Sequence, residues 1–197
     1  YRKTLAYLRK RIDVVECKMS DNGWDKIKYS TVPSHAANNY ANAFAKHDID
    51  RYQEYLMNLV IGKATINANA LFPKDILHKV WNYSSNRNVT NMIADAQWKA
   101  LPNYFGDSIE TGICVVDTSG SMWGDPLEVA VSLGLYCADK CRGRFKNHFI
   151  TFSSCPSLQE IRGATFAEKV NDMNGLNWGM NTDIEAVFDL ILMTAKN

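Results

Sequence analysis

Ile113-Cys114-Val115-Val116-Asp117-Thr118-Ser119-Gly120-Ser121-Met122 is the stretch on which the reading of the fold turns. Four apolar, mostly β-branched residues predict a buried strand that runs straight into a carboxylate, hydroxyls and a glycine. In an extended or gently turning loop, residues two apart point the same way, so the oxygens of Asp117, Ser119 and Ser121 can converge on one point. Three hard oxygens suit Mg²⁺ or Mn²⁺, which take octahedral oxygen ligands and keep several waters. Gly120 is expected to free the backbone for the turn that brings the hydroxyls round. A site with so little protein charge leaves a coordination position for a carboxylate from a partner.

This spacing resembles the metal-ion-dependent adhesion site of the von Willebrand factor A domain, whose signature Asp-x-Ser-x-Ser follows the first strand of a doubly wound sheet. That family supplies a threonine from a later loop, and Gly179-Met180-Asn181-Thr182-Asp183 stands in the matching position. The resemblance implies a metal site of Asp117, Ser119, Ser121 and Thr182, with Asp183 as a secondary-shell residue. The family also uses an aspartate after its fourth strand, and this sequence ends before that strand.

Two other readings of the same residues stay open. One is a Ser/Gly turn in which Asp117 caps the next segment, or a metal site that is vestigial or purely structural with Thr182 capping the helix that begins at Asp183. The other makes Asp117 a nucleophile or metal ligand for phosphoryl transfer at the end of its strand. Hydrolases resembling the haloacid dehalogenases need a second acid two residues on, where this sequence has Ser119. Nor does the sequence contain a Gly-x-Ser-x-Gly elbow, a Gly-x-x-x-x-Gly-Lys loop or a His-Glu-x-x-His helix. A non-enzymatic binding protein is the leading expectation.

Downstream, Asp125-Pro126-Leu127-Glu128 predicts a helix capped by Asp125, with Leu127, Val131, Leu135 and Ala138 facing the sheet. Residues 147–153 read as a second strand and 158–161 as a short antiparallel edge strand. Helices are expected over 165–173 and, strongly apolar, over 184–193. Strand, helix, strand, strand, helix, helix is the first half of a doubly wound α/β domain. Three further strands would complete it, and the sequence, which has no initiator Met, reads as a piece of a longer protein.

Upstream the pattern is helical. Leu5, Leu8, Ile12 and Val15 form one stripe over residues 2–18, opposite Arg2, Lys3, Arg9, Lys10, Arg11 and Lys18. Ser34 is expected to cap a helix with Ala37, Tyr40, Ala41 and Phe44 inward, and Asp48 one with Ile49, Tyr52, Leu56 and Leu59 inward and Gly62 at its C-cap. Pro73 opens a helix burying Ile76, Leu77, Val80 and Trp81, and a last one over 89–101 stops at Pro102. Tyr29, Tyr40, Tyr52, Tyr55 and Trp81 lie among the cations, an arrangement that suits stacking on unpaired bases but more often means core. His35, His47 and His78 read as capping or surface residues.

The net charge of +1 hides an asymmetry. Residues 1–100 hold 15 Lys/Arg against 9 Asp/Glu, and residues 101–197 hold 7 against 12. A basic helical half can hold RNA phosphates. The five cysteines lack the spacing of a disulfide framework, which points to a reducing, cytoplasmic setting. Cys137 and Cys141 share a helix face, but His148 alone does not complete a zinc set. No stretch of 18 uninterrupted apolar residues marks a membrane span.

A basic helical region leading into a von Willebrand A domain resembles the TROVE architecture of the Ro ribonucleoproteins. Tyr29-Ser30-Thr31-Val32-Pro33-Ser34, Lys46-His47-Asp48 and Gly175-Leu176-Asn177-Trp178-Gly179-Met180-Asn181-Thr182 look like an uncharacterised Ro-like family. The resulting expectation is an α/β protein with a helical, repeat-like region (1–102), a linker (103–110) and the first half of a Rossmann-like von Willebrand A domain (111–197). Its implied partners are an acidic protein side chain at the metal and RNA on the basic helices.

Overall fold

The computed structural model describes residues 1–82, 87–106, 112–152, 155–174, 181 and 183–196, with side chains to residue 193. Helices come first, as α1 (Arg2–Arg11), α2 (Val15–Ser20), α3 (Ser34–Asn39), α4 (Ala41–His47), α5 (Ile49–Val60), α6 (Pro73–Asn82) and α7 (Arg87–Ala100). An α/β region follows, as β1 (Cys114–Asp117), α8 (Asp125–Lys140), β2 (His148–Phe152), β3 (Leu158–Glu160), α9 (Phe166–Asn174) and α10 (Ile184–Lys196). The chain forms two compact units, Tyr1–Leu71 with Ser84–Ala100 and Phe72–Tyr83 with Leu101–Asn197.

The first unit is built on aromatic residues. Tyr29, Phe44 and Tyr52 are buried together with Ile27, Val32, Leu56 and Ile93. The Tyr29 ring lies 5.2 Å from Phe44 and 4.9 Å from Tyr52, edge-on or tilted as ring quadrupoles prefer. These tyrosines are core, so neither Tyr29 nor Tyr52 offers a face to a nucleic-acid base.

The stripe expected over residues 2–18 does not form. Asp13 takes a left-handed φ of 54°, and Val14 N–H returns to the Arg9 carbonyl in a Schellman-type stop, so one helix becomes α1 and α2. Val15 is buried, but α1 buries nothing, and Leu8 and Ile12 are 45% and 70% exposed. The other long stripe also splits, at Tyr40 between α3 and α4, with Ala37, Ala41 and Phe44 inward as expected. Gly62 does end α5, at φ 73°.

Three expected N-caps do not cap. Asp48 caps no backbone N–H; its Oδ2 instead accepts from the Tyr29 hydroxyl at 2.6 Å and from Arg51 at 2.8 Å. Ser34 is the first residue inside α3, and its carbonyl accepts from Gln97 Nε2. Asp125 likewise lies inside α8 after Gly124, and pairs with Lys74 at 2.9 Å. Charged tertiary partners give a carboxylate stronger hydrogen bonds than a neutral amide does.

In the second unit β1 runs parallel to β2, with Cys114 opposite Phe149 and Asp117 opposite Phe152, and β3 closes antiparallel on the far side of β2. A parallel pair needs a long crossover, and α8 supplies it. Val131, Leu135 and Ala138 of α8 are buried as expected, and Gly134 between them lets the helix touch β1. Helix α6 belongs to this unit and packs on α8. His78 Nδ1 lies 2.8 Å from Glu128 and Asn82 Nδ2 donates to the same carboxylate at 3.2 Å. Along α10, Val187 is buried while Ile184, Phe188, Leu192 and Met193 are more than half exposed.

Candidate functional site

The strand β1 delivers Asp117 to the C-terminal end of the sheet, and the chain turns there. Asp117 Oδ1 accepts the Ser119 N–H at 2.9 Å, which holds the carboxylate over the start of the loop. Residues Gly120–Met122 then make a single 3₁₀ turn closed by Met122 N–H on the Ser119 carbonyl. That turn brings Ser119 Oγ and Ser121 Oγ to 3.1 Å from each other. A carboxylate and two hydroxyls are thereby gathered within one short segment, with Ser119 5% exposed and Ser121 at the surface.

The glycine expectation needs correcting. Gly120 is not among the residues with positive φ, because a 3₁₀ turn uses backbone angles open to any residue. Gly124, at φ 89° and ψ −138°, takes a backbone conformation open almost only to glycine and sets the start of α8.

The donor set fits a hard divalent cation. All three side chains offer oxygen, and Asp117 alone brings charge, so such an ion would keep positive charge for a further carboxylate. Among the described residues no group of three or more His, Cys, Asp or Glu stands where it could hold a metal, which leaves soft-ligand zinc chemistry without a cluster. Thr118, between Asp117 and Ser119, escaped the motif: its Oγ1 is buried and lacks a hydrogen-bond partner. Nothing in an Asp-x-Ser-x-Ser spacing marks the intervening position.

Thr182 lies outside the described residues. Beside it, Asp183 Oδ1 accepts the Ala186 N–H at 3.0 Å and so performs the capping of α10 that the alternative reading gave to Thr182. The neighbouring start of α8 is a charged cluster in which Lys74 holds the Asp125 carboxyl below the usual carboxylate range.

Of the six expected RNA-contacting cations, Arg2, Lys3, Arg9, Lys10 and Arg11 all sit exposed on α1. Lys18 is apart from them on α2, ion-paired with Asp13 at 2.7 Å. No helix among the described residues is long and apolar enough to cross a membrane.

Comparison with known proteins matches residues 1–108 to the family described as "Domain of unknown function (DUF2828)" and residues 111–197 to "Domain of unknown function (DUF7788)". An uncharacterised protein of Acanthamoeba polyphaga mimivirus is 34% identical over 212 residues, an alignment covering 100% of this chain and 36% of that protein. The chain therefore spans about a third of the curated relative it matches. No solved structure matches. With more than half of its 197 residues inside the first match, the chain belongs to the family of unknown function DUF2828.

Proposed function

We propose that this chain is a non-enzymatic, Mg²⁺-dependent binding module whose second unit resembles a von Willebrand A domain. The observation that carries the reading is the gathering of Asp117, Ser119 and Ser121 where a parallel strand ends, the crevice position at which open α/β sheets take ligands. The ion would sit on those oxygens, with Thr182 as the expected fourth ligand, and present its remaining charge to an acidic side chain of a protein partner. Under this reading Asp117 is a ligand and not a nucleophile.

The test is Mn²⁺ binding followed by water-proton relaxation, with Mg²⁺ as competitor. Wild type should show one site that Mg²⁺ displaces, and Asp117→Ala and Ser119→Ala should each weaken it at least tenfold. Bound ion at ten times Kd should also stabilise the fold by about 1.4 kcal/mol. Equal Mn²⁺ relaxation in wild type and Asp117→Ala would end the proposal. Phosphatase activity lost in Asp117→Asn but kept in Ser119→Ala would favour phosphoryl chemistry.

A second clause rests on α1. Five exposed cations without an acid on the same helix support RNA binding there, as a Ro-like division of labour would have it, in a cytoplasmic setting.

A further inference from the structure

Two contacts set the register of α8 on the β1 segment. Side chains two apart on a strand share a face, so Cys114 and Val116 point to the same side, and Val116 meets α8. A Cβ placed on Gly134 would stand 2.3 Å from Val116 Cγ2, so the helix backbone rests on that side chain. Seven residues on, Cys141 Sγ donates to the Gly112 carbonyl at 3.4 Å. Residues three and four apart share a helix face, so Cys137 falls between Gly134 and Cys141, above Cys114. That register sets the thiols of Cys114 and Cys137 beside one another, both half-buried.

We propose that Cys114 and Cys137 form a redox-modification site, in which a hydroperoxide oxidant links β1 to α8 by a disulfide. A disulfide needs Cα atoms about 4.4–6.8 Å apart, a separation reached only where a helix lies very close on its strand. The glycine contact one turn away brings the helix and strand backbones close together.

The step balances without any other group. The Cys114 thiolate attacks the peroxide oxygen, giving a sulfenic acid and releasing the second oxygen as water once protonated. The Cys137 sulfur then attacks the Cys114 sulfur and displaces the hydroxyl as a second water. Two thiols lose two electrons and two protons, and one hydrogen peroxide becomes two waters.

The order of attack follows from the contact. Interaction with Cys137 lowers the Cys114 thiol and raises that of Cys137 itself, so Cys114 is the sulfur that ionises first. Cys141 is engaged with the Gly112 carbonyl and Cys155 is exposed elsewhere in the unit, so both serve as controls. This site is independent of the metal proposal.

The experiment treats the 197-residue chain with limiting hydrogen peroxide, blocks remaining thiols with N-ethylmaleimide and maps the peptides by mass spectrometry. The expected result is loss of two hydrogens and a peptide carrying Cys114 joined to one carrying Cys137, reversed by dithiothreitol. The link should survive Cys141→Ser and Cys155→Ser. In Cys137→Ser, a Cys114 sulfenic acid trappable by dimedone should accumulate instead, a readout that does not require the disulfide to form. Far-UV circular dichroism confirms folding of each variant. Both cysteines alkylated after oxidation of folded wild type, or Cys114 joined to Cys141 or Cys155, would overturn the proposal.

Discussion

Gly134 of α8 lies against Val116 of β1 so closely that a Cβ on the glycine would stand 2.3 Å from Val116 Cγ2. Both residues are buried, Val116 at 2% exposure, so neither can yield into solvent. Two effects oppose each other in Gly134→Ala. Alanine gains about 1 kcal/mol of helix propensity over glycine, whereas overpacking a well-filled core costs about 1–3 kcal/mol and more where backbone must move. At this contact distance the clash wins, and Gly134→Ala is expected to lower stability by about 2 kcal/mol. Adding Val116→Ala should recover part of the loss, because the two changes share one contact. Urea denaturation of the four species of the cycle measures it, and strict additivity would refute the contact.

Asp48 is predicted to matter to the first unit more than an N-cap does. Its carboxylate joins the Tyr29 hydroxyl to Arg51, whose guanidinium also donates to the Trp24 and Ile27 carbonyls at 2.9 and 2.8 Å. Loss of a cap alone costs about 1 kcal/mol. Asp48→Ala would in addition leave the Tyr29 hydroxyl without its acceptor and the part-exposed Arg51 without its counter-ion, for a total of about 2–3 kcal/mol. Asp48→Asn keeps an acceptor and should lose roughly half as much. Chemical denaturation read by tyrosine fluorescence decides between cap and hub.

Much of this arrangement was legible in the residues, and the gaps have physical causes. The run Cys114–Asp117 and the 3.6-residue spacing of Val131, Leu135 and Ala138 each declare their period locally, so strand and crossover helix can be read. Burial of α1 was not legible, because Leu5, Leu8 and Ile12 make the same stripe whether or not anything covers it. The caps that do not form have the same origin: Asp48 is competent to cap, and only the fold brings Tyr29 and Arg51 within its reach. The bond from Ser119 N–H to Asp117 Oδ1 closes within two residues, whereas the placing of Cys137 beside Cys114 depends on the register of a helix on a strand, which no single stretch encodes.

Lys79 on α6 provides a pH prediction for the second unit. Burial disfavours its ammonium and brings its pKa down to about 8, Asp75 opposing only in part. The folded pKa thus lies below the unfolded one, and the native state binds fewer protons between the two. The penalty is complete below about pH 8 and is relieved as pH rises through 8 toward 10.5. Lys79→Met is therefore expected to be more stable than wild type at pH 7, with the gap closing by pH 10.5. Buried Tyr29 and Tyr52, whose hydroxyls are pushed up by burial, act in the opposite sense above their unfolded value of 10.0 in both proteins, so only the difference is read. A gap that stays constant across this range would refute neutralisation of Lys79.

The basic face of α1 makes a quantitative prediction for RNA. Arg2, Lys3, Arg9, Lys10 and Arg11 project from a helix with no buried residue, so each is available to a phosphate. Neutralising Z phosphates of a single strand gives a slope of about −0.7Z in log K against log salt, so full engagement of the helix implies about −3.5. Arg9→Glu with Lys10→Glu removes two of these contacts and should reduce the slope by about 1.4. Lys18→Ala should change it far less, because Asp13 already balances that charge at 2.7 Å. Anisotropy of a fluorescent single-stranded RNA, titrated across a salt series in Mg²⁺ and in EDTA, tests both clauses at once. Binding that is salt-sensitive but indifferent to EDTA supports RNA on α1 and leaves the Asp117 loop without a part in it. Binding that disappears in EDTA would place the RNA on the Asp117 loop instead, and absence of binding at low salt would remove RNA from the account of this protein.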